Sequence, residues 1–190
     1  MSNLMFMKAF IESIKSLDMY STVRVMVLKD LGKTGFSDID LVRGVEIELP
    51  RWVAEILENK EYVKIILNVK SSDDVNKIRF QEERKSEGSK YELHKIPPNL
   101  YYEIRRLIRE YEKKIDSKDP RVFQEIEKLK KSFKKILSLR YKKILYYIQV
   151  SENIDEELEK RMTLEEKIFY RLFLRNIHKW INSIAVEEGS

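Results

Sequence analysis

The segment GKTG at residues 32–35 is the part of this chain that comes nearest to a nucleotide-binding loop. A phosphate-binding loop of the form GxxxxGK[ST] also requires a glycine five residues before Gly32 and a helix directly after Thr34. The position of that glycine is occupied by Val27. We therefore interpret GKTG as a hairpin turn rather than as a phosphate site.

Paired carboxylates are the second feature that could do chemistry. They occur at Asp38 and Asp40 and at Asp73 and Asp74, and such pairs can hold magnesium or act as general acid and base. Both pairs lie in polar segments without a pocket-forming motif. We expect them to be solvated or to cap helices, and an enzyme that uses them is the weakest of three functional hypotheses.

Histidine and cysteine indicate no metal centre. His94 and His178 are the two histidines, neither has a second histidine at ligand spacing, and the chain contains no cysteine. Zinc sites are built from such residues at short spacings. The sequence therefore predicts a protein that is not an enzyme and has no cofactor and no metal.

Composition favours a folded protein of the cell interior. The chain has 190 residues, of which 43% are hydrophobic and 36% charged, with a formal net charge of +5. The absence of cysteine suits a reducing compartment. Charged residues interrupt the apolar N-terminal segment, so we expect no membrane span and an amphipathic arm over residues 1–18. The predicted location is therefore the cytoplasm.

Residues 19–70 are predicted to form a small β-rich domain. Val23, Val25 and Val27 alternate with Thr22, Arg24 and Met26. Residues 45–49 alternate in the same way, which is typical of half-buried strands. Pro50 cannot donate to a strand ladder but suits the start of a helix. We therefore expect a short helix from residue 51, with Trp52, Val53, Ile56 and Leu57 on its apolar face and Arg51 elsewhere, and a third strand after residue 60.

The second half of the chain is predicted to be helical. Residues 71–96 are rich in charge and are interpreted as a charged linker. Residues 97–186 then show apolar residues at spacings of three and four, with a long helix opened by Pro120 and a last helix that starts with Thr163 and Glu166 at capping-box spacing. The predicted fold is α+β: a small N-terminal β-rich domain with a capping helix, followed by a C-terminal α-helical bundle.

The long helix carries a concentrated positive charge. No acidic residue occurs between Lys128 and Ser151. These cations could form a solvated face, contact a phosphate backbone, or meet an acidic patch on another subunit, and the sequence leaves the three alternatives open. Arg140 and Lys143 flank Ile144, so partial burial would require a carboxylate or carbonyl partner for Arg140. The candidate contacts to DNA or to an acidic partner are Lys128, Lys131, Lys134, Lys135, Lys142 and Lys143.

Aromatic residues are numerous in the helical half. Core packing is the default for each of them, but tyrosine is favoured at protein interfaces, so as a group they indicate that a helical face continues into a partner. The candidate interface residues are Trp52, Tyr102, Arg140 and Trp180.

The order of these parts resembles the GINS subunits of the replicative helicase assembly of archaea and eukaryotes. Leu49-Pro50-Arg51-Trp52 between two strands is similar to the GINS B domain. The segments IPPNLYYEIRRLI at 96–108, LRYKKI at 139–144 and MTLEEKIFYRLF at 162–173 are similar to the GINS A domain. With the B-type domain before the A-type domain, the chain resembles the archaeal subunit of that domain order.

The resemblance implies a scaffold without catalytic activity. Two copies would join two copies of a sister subunit of A-then-B order through their helical domains. The assembly would bridge the MCM helicase to a RecJ-like protein, and the resemblance also allows primase and DNA as partners. It further implies that the protein associates with the nucleoid in the cytoplasm. The competing hypothesis is a stand-alone helical protein that binds nucleic acid through residues 128–143.

Overall fold

The computed structural model describes residues 12–13, 16–34, 37–84, 91–114 and 120–185. The chain divides into two compact units, Met1–Asn68 and Val69–Ser190. The amphipathic arm predicted over residues 1–18 falls largely outside the described residues, as do residues 85–90 of the predicted linker. The two units are described separately below.

The first unit contains a small antiparallel sheet and one well-formed helix. Its elements are β1 (Thr22–Val27), β2 (Gly32–Thr34), β3 (Ser37–Leu41), β4 (Glu46–Pro50), α1 (Arg51–Asn59) and β5 (Val63–Ile65). The order of the main sheet is β4-β1-β5, and β2 pairs with β3 in a separate two-stranded ladder. Gly32–Thr34 of the GKTG segment thus form one strand of a β-hairpin, and Gly35 lies outside the described residues.

The strand prediction is confirmed for β1. Its side chains alternate between exposed and buried, with Val23, Val25 and Val27 on the buried side. Each of the neighbouring strands pairs antiparallel with β1, so Val25 faces Ile47 on one side and Ile65 on the other. A sheet with one apolar face must cover that face, and α1 packs against β1, β4 and β5.

Helix α1 begins where the sequence analysis places it, but two of its residues differ from expectation. Pro50 ends β4 and lies at the N-cap of α1. Arg51, expected away from the apolar face, is buried and its Nη2 lies 2.7 Å from Oδ2 of Asp18. Ile56, expected in the core, is exposed. A buried guanidinium requires a carboxylate, and Asp18 supplies it from the segment before β1.

The second unit is helical. Its elements are α2 (Ser72–Glu83), α3 (Leu100–Glu112), α4 (Pro120–Val150), α5 (Glu156–Glu159) and α6 (Leu164–Ala185). The α+β fold class is therefore confirmed. The predicted long helix is α4, which has 31 residues and begins at Pro120.

The prediction of a linker over residues 71–96 is wrong for residues 72–83, which form α2. This helix packs along α4, with Val75 fully buried in the core. Ser72 donates to Glu125 at 2.5 Å, and Ser132 donates to Asn76 at 2.7 Å. The contact face of α2 thus combines Val75 and Ile78 with polar side chains that bond to polar groups of α4. Two apolar residues are too few for hydrophobic periodicity to reveal the helix.

Two groups of buried side chains form the core of this unit. The first joins α2, α3 and the first half of α4, with Val75, Ile104 and Leu129 among its members. The second joins the end of α4 to α5 and α6, with Ile148, Leu158 and Tyr170 among its members. Phe123 and Leu137 are also apolar residues of α4, but they are exposed and belong to neither group.

The start of α6 is a capping box, as predicted. The backbone N–H of Thr163 donates to Glu166 Oε2 at 3.0 Å, and the backbone N–H of Glu166 donates to Thr163 Oγ1 at 3.4 Å. Two backbone donors that the first turn leaves without helical partners are satisfied in this way.

Thr163→Ala is expected to lower the free energy of unfolding by about 1 kcal/mol, because the Glu166 N–H loses its acceptor in a buried site. Urea denaturation followed by circular dichroism measures this difference. Thr163→Ser keeps the hydroxyl and should lose clearly less. An equal loss in both variants would show that the threonine methyl group, and not the cap, is responsible.

Candidate interaction surfaces of the helical unit

A buried ionic network lies at the centre of the second unit. Arg140 is completely buried, and its Nε and Nη2 donate to the two carboxylate oxygens of Glu166 at 2.7 and 2.8 Å. Its Nη1 donates to Oε1 of Glu82 at 2.5 Å. The remaining donors reach the carbonyl oxygens of His94 at 2.9 Å and Arg161 at 2.7 Å. All five guanidinium N–H groups are thereby satisfied.

Lys143 and Tyr101 complete the network. Lys143 Nζ donates to Glu82 Oε2 at 2.6 Å and to the Glu82 carbonyl at 2.9 Å. The Tyr101 hydroxyl donates to Glu166 Oε1. Burial, and then the negative charge of Glu166, raise the pKa of the Tyr101 hydroxyl well above its usual range, so this group remains a neutral donor. Two cations and two carboxylates therefore balance in the core.

The network explains how α2 is held. Burial by itself would lower the pKa of Arg140, but the hydrogen bonds and charge of Glu166 raise that pKa above its ordinary value. The guanidinium consequently stays charged, and it links Glu82 of α2 to Glu166 of α6 across α4. The predicted need of Arg140 for a carboxylate or carbonyl partner is confirmed.

The last two turns of α6 extend beyond the helix that supports them. His178 Nε2 lies 3.2 Å from the carbonyl oxygen of Ser151, directly after the end of α4 at Val150. Residues 179–185 are all exposed. Trp180, Ile181 and Ile184 lie on one side of these turns, and we call them the α6 apolar end. Trp180 is 64% exposed.

An aromatic row lies closer to the body of the unit, between α4 and α6. The ring centroids of Tyr141 and Phe169 are 5.7 Å apart, and those of Phe169 and Phe173 are 4.4 Å apart. Tyr141 and Phe173 are exposed, whereas Phe169 is half-buried. Large exposed apolar groups that lie close together are typical of surfaces that bind another protein.

The cations of α4 separate into distinct groups. Lys128 and Lys130 form ion pairs of 2.8 Å with Glu125 and Glu112. Lys143 is buried in the ionic network. The others that the sequence analysis selected are exposed and form no ion pair with another described residue; they are Lys131, Lys134, Lys135 and Lys142.

Comparison with protein families identifies the family to which this helical unit belongs. A model of the GINS complex protein helical bundle domain, Sld5, matches residues 59–185, about two thirds of the chain. The chain belongs to this GINS family. Its helical unit is therefore a GINS helical bundle, and the protein is a subunit of a GINS-type DNA replication complex, which contains other GINS subunits. A comparison with curated proteins finds no match.

The GINS fold places the four predicted interface residues in different environments. Tyr102 and Arg140 are buried within the helical bundle, so the interface prediction is wrong for these two. Their burial follows from the network and from the packing of α3. Trp52 is half-buried in the first unit. Trp180 is exposed, and its role at an interface stays a prediction.

The lysines predicted to contact DNA or an acidic partner also lie in different environments of the GINS bundle. Lys143 is wrong as a contact to DNA or to an acidic partner, because its ammonium group is enclosed with Glu82. Lys128 is exposed but paired with Glu125. The role of the exposed lysines as contacts stays a prediction.

The carboxylate pairs show a structural use in one case. Asp74 accepts hydrogen bonds from the backbone N–H of Lys70 and from the Ser71 hydroxyl, and these bonds lower its pKa. Ser71 in turn caps α2. Across the described residues, no group of three or more metal-ligating side chains occurs. No helix within the described ranges is long and apolar enough to cross a membrane.

Proposed function

We propose that this chain is a non-catalytic scaffold subunit of an archaeal GINS complex, with the domain order B then A. The observation that carries the proposal is the α6 apolar end, which leaves Trp180, Ile181 and Ile184 uncovered on a GINS helical bundle. A large aromatic with β-branched neighbours is the composition of an interface core rather than of a solvated surface.

The partner of this surface is a sister GINS subunit of A-then-B order. The aromatic row continues the apolar surface from the α6 apolar end towards α4, so a second helical bundle can cover both. We propose that two copies of each subunit form the complex. The assembly then bridges the MCM helicase to a RecJ-like protein, with primase as a further partner, in the cytoplasm at the nucleoid.

The first unit supports a docking role within this proposal. It has its own sheet, its own covering helix and its own buried ion pair between Arg51 and Asp18. A module with its own core can fold as a separate domain and present a surface to a partner. Such a docking role requires no catalytic residues in either unit. We assign residues 19–70 to this module and residues 97–186, together with α2, to the helical module.

Co-expression with the sister subunit encoded in the same genome tests the proposal. Light scattering after size exclusion should show a tetramer-sized species that contains both chains in equal amounts. A folded monomer that does not bind the sister subunit would refute the scaffold assignment. That result, combined with salt-sensitive binding to an oligonucleotide, would favour the alternative of a stand-alone nucleic-acid-binding protein.

A further inference from the structure

A basic cleft lies between α2 and α4, on the helical unit. It has a volume of about 470 Å³ and is lined by Arg79, Glu83, Lys131, Lys134, Lys135 and Ser138. The lining contains four cationic side chains and one carboxylate, so the cleft carries a net positive charge. The three lysines form no ion pair with any described residue, in contrast to Lys128 and Lys130 on the same helix.

Arg79 shows that the cleft is not internally satisfied. Its Nε is buried, and no hydrogen-bond acceptor lies within reach of it among the described residues. A buried N–H without an acceptor costs free energy that a bound anion would recover. The ring of Phe80 lies against the Arg79 guanidinium, with 4.6 Å between the guanidinium carbon and the ring centroid. Phe80 is 56% exposed, so one side of this cation–aromatic pair remains open.

We propose that this cleft binds single-stranded nucleic acid. The cations contact successive phosphates, and Phe80 provides a surface on which one base stacks. Lys142 continues the positive row along α4, and the distance from Lys131 to Lys142 is about 16 Å at 1.5 Å per residue, enough for several phosphates. Because bases of a duplex are stacked inside it, an aromatic ring beside the phosphate contacts favours a single strand.

An acidic protein would satisfy the lysines but would not explain Phe80. The carboxylate side chains of an acidic peptide have no aromatic ring to stack on Phe80, whereas every base has an aromatic face. This inference does not rest on the scaffold assignment, since all of its residues belong to this chain. Nucleic-acid binding and assembly with a sister subunit can therefore succeed or fail independently.

Fluorescence anisotropy with a labelled oligothymidylate of about 16 nucleotides tests the proposal on the full chain. Affinity should fall with rising salt. The triple variant K131Q/K134Q/K135Q should bind the oligonucleotide at least tenfold more weakly. The slope of the logarithm of the association constant against the logarithm of the salt concentration should become shallower by about 2, at about 0.7 per lost phosphate contact. Phe80→Ala should weaken binding on the order of tenfold with the slope unchanged.

The matched control is K128Q/K130Q/K160Q, which removes the same formal charge at three lysines that are paired with Glu125, Glu112 and Glu157. Its affinity should stay within about twofold of the wild type. At an ionic strength of about 0.15 M, charges more than about 8 Å from the bound strand are largely screened. Thermal melts should show that each variant folds. The conservative variant K131R/K134R/K135R should keep the affinity.

Four outcomes would overturn the inference. Equal losses in the cleft and control variants would reduce the effect to net charge. Unchanged binding in Phe80→Ala, or equal affinity for a duplex of the same length, would exclude a stacked single strand. Tighter binding of an acidic peptide than of the oligonucleotide would make the cleft a protein-docking site.

Discussion

Arg140→Ala is expected to lower the free energy of unfolding by about 3–5 kcal/mol, the largest stability loss that we expect from any single substitution in this chain. Removal of the guanidinium leaves the carboxylates of Glu82 and Glu166 buried with fewer partners. It also leaves the carbonyl oxygens of His94 and Arg161 without this donor. Chemical denaturation followed by circular dichroism measures the loss.

Two further variants test the reason for that loss. Lys160→Ala removes a cation that also contacts a carboxylate, Glu157, but both of these side chains are exposed, so it should cost far less stability than Arg140→Ala. Glu166→Gln in the Arg140→Ala background removes one of the stranded charges and should recover part of the stability. A double variant no more stable than Arg140→Ala would mean that lost volume, rather than unpaired charge, dominates.

Arg140→Lys provides an independent check on geometry. A lysine keeps the charge but has three donors on a single nitrogen and cannot reach Glu82, Glu166 and two carbonyl oxygens together. It should therefore lose most of the stability that Arg140→Ala loses. A lysine variant as stable as the wild type would contradict the view that the planar arrangement of five donors holds α2 in place.

Trp180→Ala is expected to weaken binding to the sister subunit by roughly 30-fold or more, because the truncation of an aromatic at an interface centre commonly costs 2 kcal/mol or more. The same substitution should change the stability of the isolated chain by less than about 0.5 kcal/mol, since Trp180 is exposed in it. Calorimetric titration of the two subunits and a melt of the isolated chain measure the two effects.

Phe123→Ala is the matched control. Phe123 is 61% exposed, close to the value for Trp180, but it lies near the start of α4 and outside the α6 apolar end. It should leave the affinity within about twofold of the wild type, because exposed substitutions outside an interface have small effects. If the two variants weaken assembly equally, or if Trp180→Ala lowers the melting temperature of the isolated chain, the α6 apolar end is not the contact surface.

Local patterns were sufficient for much of the architecture. The alternation of Val23, Val25 and Val27 predicted β1 because strand side chains repeat every two residues. Pro50 marked the change from strand to helix through its fixed φ and missing N–H. Thr163 and Glu166 predicted the start of α6 because the capping box is a contact between residues three positions apart. Each of these features is decided within a few residues.

Long-range contacts were beyond the reach of those patterns. Glu82 is charged and lies in a polar segment, so the sequence indicated a solvated linker, yet Arg140 and Lys143 lie 58 and 61 residues away and enclose it. The apolar residues of the last helix continue through Trp180, Ile181 and Ile184. Whether these residues are buried depends on how far α4 extends alongside α6. Helix α4 ends at Val150, next to the Ser151 carbonyl that His178 contacts, so α4 does not cover the turns of α6 after His178.

The sequence by itself determined the α+β class, the types of most elements other than α2, and the GINS resemblance, because these depend on periodicity, caps and short motifs. Only the tertiary structure decided which charges are structural and which are available. Arg140 and Lys143 are placed in the core, whereas Lys131, Lys134 and Lys135 line an open cleft, although all five come from one basic helix. The physical reason is that a charge can be buried only where an opposite charge from another helix meets it, and that meeting is a property of the fold.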